Sequence, residues 1–95
     1  NVPQPGEGPS RESREQGNYE VLFLADIESE ISEARVTGDM DPGYGSTSKM
    51  IAESAICLVE DCEDLPGGIY TPAPAMGEKL ITRLIQKAGL TFDIL

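Results

Sequence analysis

The chain has 95 residues, of which 17 are acidic and 7 basic, and its formal net charge is −10. Such a charge argues against a nucleic-acid-binding protein, because binding to phosphates requires a basic face. The length suits one domain with a single modest core. No apolar run approaches the ~20 residues of a membrane span, and no signal peptide is recognisable. With nothing pointing to an oxidising compartment, the sequence predicts a cytoplasmic protein.

The first 17 residues predict a loop or extended lead-in segment. They hold three prolines, three glycines and a single aliphatic residue, Val2. Such a segment buries too little apolar surface to offset the entropy lost on ordering. Within it, Ser10 is suited to cap a short helical turn that Gly17 ends. Residues 18–95 are then expected to form a single α+β domain fragment.

A β-hairpin is predicted next. Between Asn18 and Ile27 the apolar residues alternate, which is typical of a strand with one buried face. Leu22 and Leu24 fall on the opposite face, which should therefore be partly covered as well. A polar turn follows, and a second strand over Ile31–Gly38 completes the hairpin.

The sequence then predicts two main helices, each with a proline at its start. Asp41 and Pro42 favour the start of the first helix, with Asp41 as N-cap. Its apolar stripe between Met50 and Val59 is wide enough to predict burial against a sheet and a neighbour. Thr71 and Pro72 predict the second start.

Two short strands complete the predicted fold. Ile69 and Tyr70 could form a brief strand before the second helix, and Gly89 is expected to end that helix. Residues 90–95 alternate and predict a final strand. The order β-β-α-β-α-β predicts an α+β fold with a mixed β-sheet.

Cys57 and Cys62 are the two cysteines, and the chain has no histidine. If both lie on one helix, a spacing of five residues places them ~140° apart, too far around the axis for a disulfide. Two cysteines without histidine cannot form a four-ligand zinc site, so no metal site is predicted. We expect Cys57 to be a small buried apolar side chain.

The loop from Gly38 to Met50 joins a predicted strand to a predicted helix, where proteins often place functional residues. Gly43 and Gly45 resemble the start of a dinucleotide-binding fingerprint, but Ser48 occupies the third glycine position. Without histidine, a Ser-His-Asp arrangement is impossible. The sequence therefore predicts neither a catalytic nor a cofactor-binding residue in this chain.

The start of the first main helix remains the candidate site. Its amides and hydroxyl groups could hold an anionic group or a carbonyl oxygen. The alternative is that these groups only cap the helix. The candidate residues for substrate or interface contact are Tyr44, Ser46, Thr47, Ser48 and Lys49.

Three segments carry a resemblance to a known family: Gly6–Gly17, Asp41–Leu58 and Gly67–Phe92. Together they resemble the C-terminal domain of bacterial saccharopine-dehydrogenase-like, NADP-dependent oxidoreductases. Some members of that group have saccharopine-dehydrogenase-like names and others enoyl-reductase-like names. In such proteins an N-terminal Rossmann domain binds NADP, and a second α+β domain supports substrate placement and dimer contacts.

The resemblance implies that this chain is that second, non-Rossmann domain or part of it, and that it is inactive alone. The NADP and the chain's own Rossmann domain are then expected in the parent protein. Strand edges cut free from a larger sheet also predict a homo-oligomer. The alternative is a stand-alone α+β binding or assembly module without enzymatic activity.

Overall fold

A computed structural model describes residues 2–95 of the chain. The elements are α1 (Arg11–Gln16), β1 (Tyr19–Ile27), β2 (Glu30–Gly38), α2 (Gly45–Glu60), α3 (Pro72–Lys87) and β3 (Leu90–Ile94). The predicted α+β class is confirmed, with the hairpin first and two main helices before the last strand. Among these residues no helix is long and apolar enough to cross a membrane.

The sheet is antiparallel rather than mixed. Its order is β1-β2-β3, and both neighbouring pairs run antiparallel. The predicted strand at Ile69–Tyr70 does not form, and Ile69 is fully exposed. Two apolar residues between Gly68 and Pro72 are too few to pair, so α2 connects to α3 by an irregular segment.

The local signals at three element ends are confirmed. The side chain of Ser10 accepts a hydrogen bond from the Ser13 amide at 3.1 Å and caps α1. Thr71 is the N-cap of α3, with Pro72 as its first residue. Gly89 follows α3 with φ +71°, a left-handed conformation that glycine adopts without strain.

The register of the sheet defines two faces, because directly opposed residues share a face. Val21 lies opposite Val36, which lies opposite Phe92. We call the face that carries these three residues the inner face, since it packs against the helices. Its buried cluster consists of Leu84, Ala88 and Leu90, surrounded by the partly buried side chains of Val36, Met50, Leu80 and Phe92.

A second small cluster lies at the junction of α2 and α3. It consists of Cys57, Cys62 and Met76. The burial predicted for Cys57 is confirmed, since its side chain is fully buried. The two cysteines do not lie on one helix, because α2 ends at Glu60 and Cys62 lies beyond it in the same cluster. Both thiols are free.

The packing leaves much apolar surface uncovered. The accessible area is 7243 Å², whereas a compact chain of this mass exposes about 5,300 Å². The Cα radius of gyration is 16.1 Å, against about 12 Å for a compact domain of this length. The predicted burial of the α2 stripe is wrong for Ile51 and Val59, which are 70% and 76% exposed. Both side chains are apolar, but residues 2–95 form no layer that buries them.

Candidate functional site

Asp41 organises the loop before α2. Its Oδ2 atom accepts hydrogen bonds from the amides of Tyr44, at 2.7 Å, and Gly45, at 3.1 Å. These two bonds, that of Tyr44 first, hold the pKa of Asp41 below its ordinary value of 3.8. The carboxylate thus binds backbone amides as predicted for a cap. However, Pro42–Tyr44 form a turn over it, so α2 begins at Gly45 with Tyr44 as N-cap, three residues later than predicted.

The short helix α1 packs against this loop. The amide of Asp41 donates to the carbonyl oxygen of Arg14 at 2.9 Å. A Cβ atom at Gly17 would lie 2.7 Å from the same amide nitrogen, so a side chain there would separate the two segments. The end of the lead-in segment is therefore attached to the loop that precedes α2, and the two segments form the walls of one cleft.

Ser46 faces the interior of the protein. It is fully buried, and its Oγ atom lies 2.8 Å from the Tyr19 Oη atom. Gly38 makes room for this contact, because a Cβ atom there would lie 2.2 Å from the Tyr19 ring. This hydroxyl pair links α2 to β1, so Ser46 joins the helix to the sheet.

The hydroxyl groups of Thr47 and Ser48 have local partners. Thr47 donates to the carbonyl oxygen of Pro42 at 2.5 Å, and Ser48 donates to that of Gly45 at 2.9 Å. The Lys49 Nζ atom lies 3.3 Å from the Asp39 carboxylate. These contacts agree with the capping alternative, because both hydroxyl groups already donate their hydrogens to backbone carbonyl oxygens of the same loop and helix start. A role of the five candidate residues in binding stays a prediction.

A cleft of about 360 Å³ lies between α1 and the start of α2. Two of the candidate residues, Tyr44 and Ser48, line it, and Tyr44 is 58% exposed. The other lining residues are Arg11, Arg14, Glu15, Met40 and Gly45.

Two arginines of this cleft, Arg11 and Arg14, were not predicted as site residues from the sequence. Arg11 pairs with Glu15 at 2.7 Å, and this hydrogen bond raises the pKa of the guanidinium. The positive charge of Arg14 acts on Asp41 and helps to lower its pKa. A usable signal existed, since these are two of only four basic residues in residues 1–64. Guanidinium groups beside hydroxyls suit an anionic ligand, and the cleft has no residue pair arranged for acid–base chemistry.

A second charged cluster joins the two long helices. Arg83 donates to Asp61 at 2.5 Å, to Glu60 at 2.6 Å and to Glu53 at 2.9 Å. The bond to Asp61 is the main cause of the raised pKa of Arg83. Each side-chain nitrogen of Arg83 has a carboxylate partner, so the cluster attaches α3 to the end of α2. In the described part of the chain, no group of three His, Cys, Asp or Glu side chains is arranged to hold a metal ion.

An apolar cavity of about 520 Å³ lies near the start of α3. Its walls come from the end of α2, the connecting segment and the first turns of α3. Cys62 and Met76, which belong to the buried cluster, form part of the wall, and Tyr70 lies at its side with the hydroxyl donating to Pro66. The cavity is separate from the cleft that holds the candidate residues.

Three mycobacterial proteins are similar to this chain over nearly its whole length. One, from Mycobacterium tuberculosis, has a name that describes it provisionally as a trans-acting enoyl reductase; it is 40% identical over 86 residues. Proteins named trans-acting enoyl reductase from Mycobacterium ulcerans and Mycobacterium bovis are each 35% identical, over 87 and 86 residues. The aligned residues make up 87%, 90% and 87% of this chain. No protein-family profile matches the chain, and no solved structure does.

The chain spans about a fifth of the length of these curated relatives, with 20%, 21% and 20% covered. The names of these relatives contradict the family resemblance that was drawn from the sequence. The assignment to saccharopine-dehydrogenase-like oxidoreductases is wrong, and so is the function predicted from it, a substrate and dimerisation domain of such an enzyme. The segments that carried the resemblance contain α1, most of α2, all of α3 and the three helix starts. The hydrogen bonds of Asp41 to backbone amides and the position of Pro72 at the start of α3 serve helix formation and carry little information about a reaction.

Proposed function

We propose that this chain is a non-catalytic segment of a longer protein of the trans-acting enoyl reductase kind. The observation that carries the proposal is identity of 35–40% over nearly the whole chain with a fifth of each relative. The packing of the chain supports it. Among residues 2–95, six apolar residues are buried, namely Cys57, Cys62, Met76, Leu84, Ala88 and Leu90. That core is small for a chain of this length, which suits a segment that packs against further polypeptide.

Reduction of an enoyl group adds a hydride and a proton across a carbon–carbon double bond, and the hydride needs a donor. We infer that NADPH supplies it and is bound by residues of the longer protein outside this chain. Two features support this division. Ser48 stands where a dinucleotide fingerprint has its third glycine, and its hydroxyl is engaged by the Gly45 carbonyl oxygen. The cleft also lacks an acid–base pair.

In the longer protein the cleft would contact an anionic group of a substrate or of a neighbouring segment. Tyr44 would contribute a hydroxyl group and Arg14 a positive charge, while the Ser48 hydroxyl is already donated to the Gly45 carbonyl oxygen. Ser46, Thr47 and Lys49 would hold the loop in place through Tyr19, Pro42 and Asp39, respectively.

A chimera tests the proposed function. The matched segment of the Mycobacterium ulcerans relative is replaced by this chain, and enoyl reduction and thermal unfolding are compared with those of the parent. We expect a folded chimera that keeps reductase activity. A chimera that folds like the parent but has lost all activity would contradict a shared role, as would one that does not fold.

A calorimetric titration of NADPH tests the division of labour. The 95-residue chain should show no heat of binding, whereas the chimera should bind. Saturable binding by the chain alone would contradict this division, and a loss of affinity in an Arg14→Gln variant would then place the nucleotide at the cleft. A chain that folds fully alone and leaves the chimera inactive would favour the stand-alone binding or assembly module.

A further inference from the structure

The inner face of the sheet is covered over only half its length. The helices bury its end near Leu90, while its other end toward the hairpin turn is uncovered. We call this uncovered part the open face. It consists of Val21, Phe23, Ala25, Ile27, Ala34 and Ile94, which the register places on the same side.

Exposure rises steadily away from the helices. Along β3, Leu90 is 4% exposed, Phe92 is half-buried and Ile94 is 86% exposed. On β1, Phe23 and Ile27 are 54% and 64% exposed. The open face thus continues a surface that is already part of the core. An apolar sheet face is stable when a second layer covers it, so a further layer beside α3 would extend the present packing.

The exposed area of the chain is large enough for an extensive interface. The accessible surface of 7243 Å² exceeds that of a compact chain of this mass by about 1,900 Å². A standard protein–protein interface buries about 800 Å² of each partner. The excess of the whole chain is therefore larger than one standard interface, and the open face is one part of it.

The charges of the chain indicate the chemistry of that layer. Glu30 is the only acidic residue in register with the inner face, at its far end. Glu20, Asp26 and Glu33 alternate with the open-face residues and lie on the outer face of the sheet. The covering surface should therefore be apolar and uncharged at its centre. A second copy on this face is disfavoured, because each chain brings a charge of −10. The homo-oligomer predicted from the sequence stays a prediction.

We infer that the open face docks onto the remaining polypeptide of the longer protein, on an apolar and uncharged surface. The inference rests on the proposed function, since the occupant is the part of the longer protein that this chain does not contain. The relatives are about five times as long as their match to this chain, so such polypeptide exists in them.

Oxidative footprinting with hydroxyl radicals and mass spectrometry tests this inference. The chimera is compared with the isolated 95-residue chain. Phe23 is 54% exposed in the isolated chain, and its modification should fall about tenfold if it becomes a core side chain. Leu24 is the matched control, because it is the next residue, 65% exposed, and on the outer face. Its modification should stay unchanged.

A pair of double variants provides a second measurement. Phe23→Ser with Ile94→Ser should lower the melting temperature of the chimera by roughly 5 °C or more while leaving that of the isolated chain nearly unchanged. Leu22→Ser with Leu24→Ser, on the outer face, should leave both unchanged. Sedimentation of the isolated chain shows whether it is a monomer.

Each outcome decides the inference. Protection of Phe23 but not Leu24, with loss of stability in the chimera alone, supports it. An active chimera in which Phe23 stays exposed overturns the inference and leaves the proposed function intact. A dimeric isolated chain that the Phe23→Ser and Ile94→Ser pair makes monomeric shows a second copy as occupant and overturns it too. A chimera that does not fold overturns both proposals.

Discussion

The helical end of this molecule, around α2 and α3, and its hairpin end, around the turn between β1 and β2, differ in how completely their side chains are paired or buried. At the helical end, Arg83 binds three carboxylates, and Leu84 is 7% exposed in a closed cluster. At the hairpin end, Phe23 and Ile27 lie more than half exposed on a regular antiparallel ladder. The β1–β2 ladder is therefore regular where side-chain packing is not complete. A hairpin can thus keep its full register between two strands while its apolar face still lacks a partner.

The largest effect expected in the isolated chain comes from the core of the helical end. Leu84→Ala should lower the free energy of unfolding by about 2–4 kcal/mol, because it opens a cavity among buried side chains. Phe23→Ala removes a larger side chain but should lower the free energy of unfolding by less than about 1 kcal/mol, because that ring is already exposed. Urea unfolding measures both values. Equal losses would show that the open face is covered even in the isolated chain.

Arg83 sharpens the same comparison through charge. Arg83→Met leaves Glu53, Glu60 and Asp61 close together without their shared cation. We expect the melting temperature to fall by several degrees, and high salt to restore part of the loss because it screens the repulsion. Arg11→Met is the control, since Arg11 forms an exposed pair with Glu15 and its loss should have little effect. A salt-independent loss at Arg83 would indicate packing rather than charge.

The Tyr19–Ser46 hydroxyl pair joins β1 to α2 within the helical end, and its contribution should be smaller. Tyr19→Phe and Ser46→Ala should each lower the free energy of unfolding by about 1 kcal/mol. Each variant removes the hydrogen bond and leaves the remaining hydroxyl without its partner. The double variant should cost less than the sum, with a coupling of about 0.5–1.5 kcal/mol. A double-mutant cycle measured by urea unfolding gives that coupling. Strict additivity would mean that the bond contributes nothing to stability.

The smallest expected effect is the pH dependence contributed by Asp41. Its pKa is lower in the folded chain than in the unfolded chain, so its stabilising contribution is fully present above the unfolded value. That contribution is lost as the pH falls below 3.8 and through the folded pKa. The melting temperature should therefore fall with acid less steeply in Asp41→Asn than in the natural chain. Identical slopes in thermal melts from pH 5 to 2 would rule out this role for the carboxylate.

Local features could be predicted from the sequence because they depend on neighbouring residues. The cap at Ser10, the start at Thr71–Pro72 and the left-handed Gly89 each follow from side-chain and backbone geometry within one turn. The hairpin followed from alternation in the same way.

Features that depend on distant contacts could not be predicted. The apolar stripe of α2 predicts that Ile51 and Val59 pack against another element, but the sequence does not show whether this chain contains that element. The proximity of Arg11 and Arg14 to Tyr44 depends on α1 packing against the loop, through the bond from Asp41 to Arg14. Residue spacing gives no information about such a contact, so the cleft is visible only in the structure.

The position of β3 has a consequence for the order of folding. The β1–β2 hairpin needs only local contacts, and hairpins of this kind form within microseconds. Thr37 and Thr91, whose hydroxyl groups lie 2.7 Å apart across β2 and β3, are separated by 54 positions that include both long helices. Closing a loop of that length is entropically costly and comes later. During synthesis, the hairpin therefore emerges first and keeps β2 open as a free edge until the last strand arrives.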